Sequence, residues 1–466
     1  MTMRRMSWLT AACVLGAAAL PAVAQTKDLP LDTLAQQTAQ ALARLEFTVS
    51  NELATERGRG GQCICIDEQR GTFITGDLPS GVPLAEMTEF RLRQAGDVGP
   101  WYDAKLISID PEENLAFLQL ELKAGQKSPW KQLPMASSKN LKIGQRVVSV
   151  GLLPDRYGSP VYIGTAVIAG LFRLPDYVAV VTGGDLTVGS SPVLTTDGLM
   201  VGIVGGQLPL QARILLGGRL LDTALTLRDR TRYFIPTDEF AHIVRNIAPR
   251  RLPWLGTVSM EYVPENVAED LPGLKGRAAV RIGRILANSP ATNAGLKQSD
   301  VVVALNGKPL EMLPTPELTG RAFVRELNRL SPGTPIKLTV LRDGKDEELT
   351  LTLAPHPEDA TEVPRYYDKR LGFAGRDMTR FEIETQTGTP KRGVAVLGVV
   401  PNSPAAAGRM TPGDLITHVN TREVRTVAEL SALLKSLETS TRTINFTVIR
   451  RGVEESVIVA PPQPAP

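Results

Sequence analysis

The feature that most constrains this chain is an internal repeat in its C-terminal half. Asn288-Ser289-Pro290 through Asp300 and Asn306 recurs at a constant offset as Asn402-Ser403-Pro404 through Asp414 and Asn420. Each copy continues into an amphipathic run, Glu317 to Leu330 or Val427 to Leu437. A hairpin signal follows, Arg342-Asp343-Gly344 or Arg450-Arg451-Gly452. A duplicated helix-and-strand unit reads as two small α+β modules in tandem. Pro355 to Pro364 separates them, and Pro461 to Pro466 is a tail that packs neither as helix nor as central strand.

Upstream the texture is different. Leu31, Leu34, Ala35, Leu42 and Leu45 recur at helical spacing, with Thr38 breaking the stripe, so a helix is expected over Leu31 to Leu45. From there the chain breaks into short apolar runs punctuated by Gly, Pro and Asp. They include Phe47 to Asn51, Gln62 to Ile66, Thr72 to Thr75, Phe90 to Arg93, Lys105 to Ile109, Ala116 to Leu120, Arg146 to Gly151, Tyr162 to Ala169, Tyr177 to Val181 and Leu199 to Val204. So many short strands at close spacing call for a barrel or sandwich. Tyr233 to Pro236 and then Phe240 to Ile247 read as a last strand and a closing helix, with the boundary at Pro249 to Pro253.

The N-terminus has the three-part order of an export signal: Arg4 and Arg5, an apolar run Trp8 to Leu20, then Ala22-Val23-Ala24 before Gln25. A mature start at Gln25 and a periplasmic or secreted product are expected. The net charge is +3, and Arg4 and Arg5 would leave with the signal, so no field remains to draw in nucleic acid. No later apolar run is long enough to span a membrane as a helix. Cys63 and Cys65 would be the only thiols left; they read as small hydrophobes of a buried strand. No cluster of His, Cys and acidic residues has metal-ligand spacing, so neither metal nor cofactor is expected.

The N-S-P-A pattern followed by Asp-hydrophobic and Asn resembles the PDZ domains of bacterial proteases. In that family a peptide C-terminus adds as a strand to a sheet edge, and its carboxylate sits among backbone N–H groups at a hydrophobic-Gly-hydrophobic loop. The resemblance places that loop at Trp254, Leu255, Gly256, Thr257 and Val258 in the first repeat and at Leu371, Gly372 and Phe373 in the second. The helices, with Phe323, Val324 and Leu327 or Leu430, Leu433 and Leu434, would form the other wall.

A chymotrypsin-like barrel pair followed by two such repeats is the layout of the HtrA/Deg serine proteases. Asp110-Pro111-Glu112-Glu113-Asn114-Leu115-Ala116 resembles their D-P-x-x-D-L-A segment. Leu141 through Gly151, Gly198 through Ile203 and Phe234-Ile235-Pro236 resemble further family segments. The implied fold is mainly β: a chymotrypsin-like double β-barrel followed by two PDZ domains. The implied division is 1–24 signal peptide, 25–45 N-terminal helical segment, 46–250 trypsin-like domain, 252–355 PDZ, 356–369 linker, 370–460 PDZ and 461–466 Pro-rich tail.

The family's catalytic residues do not carry over. The histidine position of T-x-x-H falls on Leu78, the aspartate position on Asn114, and the serine of G-N-S-G-G-P on Gly189. A two-residue gap instead aligns G-N-S with Gly189-Ser190-Ser191, making Ser191 an alternative nucleophile. Neither alignment supplies a base, because the only histidines are His242, His356 and His418. Asp77 and Asp185 lie nearby in sequence but are poor proton acceptors at an ordinary carboxylate pKa. The expectation is an exported, HtrA-like pseudoprotease that binds C-termini or unfolded segments of envelope proteins as a chaperone or adaptor in quality control. An active endopeptidase using Ser191 is the alternative. The resemblance also raises an active HtrA relative as partner and a homo-trimer assembled through the segment before the barrel.

Overall fold

The structure, a computed structural model, describes residues 28–462 apart from 52, 54, 80–81, 111, 124, 174–176, 208–210, 217–218, 225–231, 264–267, 269–270 and 387–389. The expected signal peptide, the start at Gln25 and residues 463–466 of the tail lie outside the described residues.

The helix α1 covers Leu31–Ala39 and stops there. Leu42 to Leu45, expected to extend it, open strand β1 (Leu42–Ser50) instead. The reason is tertiary. This strand pairs on one edge with β2 (Thr55–Asp67) and on the other with β4 (Met87–Gln94), which aligns Leu42, Ala43, Leu45 and Phe47 with the core. Burial on two paired edges overrides a helical spacing that Leu34 and Thr38 alone complete on the helix.

With β3 (Thr72–Thr75), β5 (Val98–Asp110) and β6 (Leu115–Leu120), these strands close a six-stranded barrel in the order β1-β2-β3-β6-β5-β4. A second closed barrel has the order β10-β11-β14-β9-β8-β7. Its strands are β7 (Arg146–Leu152), β8 (Val161–Arg173), β9 (Tyr177–Thr182), β10 (Pro192–Leu194), β11 (Met200–Gln207) and β14 (Arg232–Pro236). Strands β12 (Gln211–Leu216) and β13 (Arg219–Ala224) form a separate hairpin between β11 and β14. Helix α2 (Thr237–Arg245) closes the unit, and its Phe240 joins a core that continues from the first barrel into Val148, Val150 and Leu152 of the second. Cys63 and Cys65 are free and buried within it, and burial raises the Cys63 thiol and pushes Cys65 up to about 12.

The two repeats follow as sheets, each with its own helix and core. The first sheet has the order Met260–Tyr262, Val280–Ile282, Val301–Leu305, Pro335–Arg342, Lys345–Thr352, with helix α3 (Pro316–Asn328) across it. The second runs Arg365–Asp368, Phe373–Asp377, Val394–Val399, Leu415–Val419, Ile444–Arg450, Val453–Val459, with helix α4 (Val427–Ser436). Arg365–Asp368, expected in the linker, is thus a strand of the second sheet.

The residues that recur between repeats do the same structural work in both. Ser289 and Ser403 cap the short helices that follow them. Asp300 pairs with Arg342 at 2.6 Å and Asp414 with Arg450 at 2.8 Å. Asn306 and Asn420 turn at positive φ, each accepting a main-chain N–H from the neighbouring strand, Lys337 at 2.9 Å and Asn445 at 3.0 Å.

The first repeat is anchored to the barrels by a buried cation. The Arg325 guanidinium of α3 reaches Glu239 of α2 and, at 3.2 Å, Glu113 beside the turn that carries Asn114. Arg250 continues the contact by pairing with the buried Asp110 at 2.9 Å.

Candidate functional site

Asn114 sits in the turn between β5 and β6, held at φ +51° where asparagine is tolerated. Asp110 shapes that turn by accepting the N–H groups of Glu112 and Glu113 through Oδ1. Leu78 follows the end of β3. The two side chains line one cavity of about 550 Å³, together with Val82, Met87, Ile109 and, from the linker, His356. The positions expected for base and orienting residue therefore come together, but as an aliphatic and an amide. His356 reaches this cavity, yet its Nδ1 is 2.8 Å from the Pro357 carbonyl and its ring lies against Phe381.

The loop before β10 is bound inward. Ser191 is fully buried, and its Oγ accepts from Gln62 Nε2 at 2.6 Å. The same Nε2 donates to the Gly189 carbonyl, while Gln62 Oε1 accepts from the Leu152 N–H, both at 2.9 Å. Gln62 thus spends its amide on joining the barrels through the segment expected to hold the nucleophile. Ser190 is at φ +61° and donates to Asp77 Oδ1 at 2.8 Å, while accepting from the Gly76 N–H. Asp77 Oδ2 accepts from the Gln62 N–H at 2.9 Å. Burial raises the Asp77 pKa despite those hydrogen bonds. No imidazole takes part in this network among the described residues.

A Cβ added at Gly189 would meet nothing within 4 Å, so no steric conflict excludes a side chain there. The N–H groups just before it are already occupied. Thr187 donates to Ser149 Oγ and Val188 to the Tyr162 hydroxyl, each at 2.8 Å. Arg232 accompanies them, donating to the Thr187 carbonyl at 2.7 Å and pairing with Asp185 at 2.8 Å. Gln62, Ser149 and Tyr162 were not singled out in the sequence. The one available signal was a glutamine in an otherwise apolar strand, Gln62 before Cys63-Ile64-Cys65-Ile66.

In the first repeat Gly256 has φ +113°, and an added Cβ would lie 2.5 Å from Ser289 Oγ. Glycine is required there by both backbone and space. The Leu255 carbonyl accepts from Ala291 and the Gly256 carbonyl from Leu286. Among the described residues, the Gly256 and Thr257 N–H groups meet no protein acceptor. Val258 leads into the edge strand Met260–Tyr262, whose outer side has no partner strand among the described residues. Trp254 folds over the loop, its Nε1 donating to the Thr257 carbonyl at 3.0 Å. From the second repeat, Phe381 meets the Trp254 ring edge-on and Arg380 lies 5.0 Å from its centroid. Of the expected groove wall, Phe323 and Leu327 are core residues.

The second loop differs. Gly372 also has positive φ, and an added Cβ would lie 2.3 Å from Ser403 Cβ. Its N–H donates to the Asp368 carbonyl at 2.7 Å, and the Leu371 N–H donates to Asp368 Oδ1 at 2.8 Å. Phe373 starts a strand whose groove-side edge is paired with Arg365–Asp368. The donors expected to receive a chain end are occupied from within. Leu430 and Leu434 are core, and Leu433 packs on it from the edge.

A trypsin-like peptidase domain matches residues 61–203, and PDZ domains match residues 263–353 and 396–446. The probable periplasmic serine endoprotease DegP-like of Ectopseudomonas mendocina is 28% identical over 369 residues, covering 75% of this chain and 70% of that protein. Its namesake from Chlamydia muridarum is 28% identical over 357 residues, covering 72% and 63%. Among solved structures, the HtrA-type protease AlgW with tripeptide superposes with a TM-score of 0.51 at 18% identity, covering 70% of this chain and 98% of that one. The chain thus carries a trypsin-like domain followed by two PDZ domains, and in this order it is similar to the HtrA/DegP-type proteases.

Proposed function

We propose that the chain is an exported HtrA-like pseudoprotease, which binds C-termini or unfolded segments of envelope proteins through its PDZ domains and serves quality control as a chaperone or adaptor. The observation that carries this reading is the place of the two serines. Ser191 is buried against Gln62, Ser190 is held by Asp77, and the base position is Leu78. Acyl transfer needs an imidazole to take the serine proton and aligned N–H groups for the oxyanion. Here the first is replaced by an aliphatic side chain and the N–H groups before Gly189 are engaged.

Peptide binding rests on the first repeat, where, among the described residues, the Gly256 and Thr257 N–H groups meet no protein acceptor beside a strand edge that no further strand pairs with. Such an edge accepts an extended peptide as a further strand. Periplasmic location follows the names of the relatives. An active relative as partner and a homo-trimer belong to the same reading.

Two measurements test it. A fluorophosphonate probe should leave the purified protein unlabelled, and a labelled peptide with a hydrophobic free C-terminus should bind more tightly than its amidated form. Labelling lost on Ser191→Ala would establish the alternative, an active endopeptidase.

A further inference from the structure

The two repeats share a fold but treat the residues before their glycine loop differently. In the first, Pro253–Trp254 pairs with Ala354–Pro355 at the end of the same repeat, which leaves the edge strand Met260–Tyr262 open. In the second, Arg365–Asp368 runs antiparallel to Phe373–Asp377, with Arg365 opposite Arg376, Tyr366 opposite Gly375 and Asp368 opposite Phe373. The other edge of Phe373–Asp377 belongs to Val394–Val399, so Arg365–Asp368 fills the side facing α4. An added peptide would need that side.

We infer that Arg365–Asp368 is a built-in occupant of the second peptide groove, with Asp368 standing in for a chain-end carboxylate, so that this groove accepts a client only when the strand leaves it. This rests on the peptide-binding reading above and adds a control to it. Asp368 is buried, and its Oδ1 and main-chain carbonyl take the Leu371 and Gly372 N–H groups. Tyr366 packs on the repeat's core with its ring 6.5 Å from that of Phe373, as an anchoring side chain of a ligand would. Its hydroxyl donates to Asp368 Oδ2 at 3.1 Å, tying anchor and carboxylate together.

The period of a strand turns the alternate residues outward. Arg365 and Tyr367 both reach Glu86 of the first barrel, Arg365 at 3.3 Å. Glu86 follows Leu84 and Ala85, which line the cavity shared by Leu78 and Asn114. Filling the second groove from outside would therefore also release the contact with the barrel.

The test uses the full chain in two measurements. Hydrogen exchange of residues 369–377 without peptide reads the occupant directly. Asp368→Ala with Tyr366→Ala should exchange at least tenfold faster than the unmodified protein there, and each single variant should do so in part, which covers failure of the pair to fold. Equal exchange would overturn the inference whatever any peptide does. Polarisation titrations are then run in a Gly256→Val background, which closes the first loop, with a labelled peptide ending in a free hydrophobic residue. Opening the strand should tighten binding at least tenfold, and Gly372→Val should abolish the gain. Equal affinity with the strand present or opened would overturn the inference. Faster exchange without any peptide binding would uphold the occupant and remove chain-end capture by this repeat instead.

Discussion

Ser190 Oγ donates to Asp77 Oδ1 at 2.8 Å, joining the loop before β10 to the end of β3 across the junction of the two barrels. Asp77 also holds the Gln62 N–H, and Gln62 in turn holds Ser191, so one connected network occupies the region in which a trypsin-like site would be assembled. Its members use their hydrogen-bonding capacity on each other. Such a network fastens the barrels together.

Gln62 should accordingly matter for stability. Replacing it with alanine strands the buried Leu152 N–H and removes the donor to the buried Ser191 and to the exposed Gly189 carbonyl. Each buried group left unsatisfied costs about 1–3 kcal/mol. Gln62→Ala should lower the denaturant midpoint by a corresponding amount and leave peptide binding by the first repeat unchanged, as chemical denaturation and polarisation will measure.

Asp77 gives this network a pH signature. Its folded pKa lies above the ordinary 3.8, with burial as the largest cause. Between the unfolded and folded values the folded chain holds more protons than the unfolded one, so stability falls as pH rises through that window. Asp77→Asn cannot ionise. The stability of the wild type relative to this variant should therefore decline as pH rises from about 4. Unfolding midpoints of both proteins across pH 3.5 to 7 will check it, and a wild type that gains on the variant over this range would reverse the sign.

The same contacts explain what could be read in advance. The repeat and most strand positions follow from local periodicity and from Gly, Pro and Asn turns, while the pair of barrels and the PDZ domains are what the resemblance to the HtrA/Deg proteases implies. Leu42 to Leu45 misled because its spacing suits a helix while pairing with β2 and β4 decides its state. Arg365–Asp368 was hidden for a related reason. A strand that fills a groove in its own domain is set by a tertiary contact, and next to Pro364 it looks like linker. That Leu78 is not a histidine is a residue identity, whereas the Gln62–Ser191 bond joins residues 129 apart and leaves no local trace.

Arg325 is a buried fastening between the first repeat and the barrels. Its side chain is 3% exposed, with Glu113 and Glu239 nearly as buried beside it. Removing one member of a buried charged group leaves the others uncompensated and costs roughly 3–5 kcal/mol. Arg325→Met should therefore lower stability and loosen the first repeat from the barrels, raising protease cleavage near Pro249 to Pro253. Arg321→Met, which breaks only an exposed pair with Glu317, should do neither.

Placing a triad at the three aligned positions tests the proposed inactivity of this site. Leu78→His, Asn114→Asp and Gly189→Ser would put a triad at the aligned positions, and the space around Gly189 permits the new serine. Peptidase activity needs more, because the oxyanion must meet N–H groups that are free and correctly aimed. With a serine at 189 the donors would be its own N–H and that of Thr187 two residues before it, and here the Thr187 N–H is given to Ser149 Oγ while Arg232 holds the Thr187 carbonyl. Losing a single oxyanion donor already costs about 10²–10³ in kcat. The triple variant should thus show no casein hydrolysis above background, and adding Ser149→Ala, which frees the Thr187 N–H, should be required for any turnover to emerge. Robust proteolysis by the triple variant alone would mean that the loop rearranges around a restored serine and that only side chains separate this chain from an active protease.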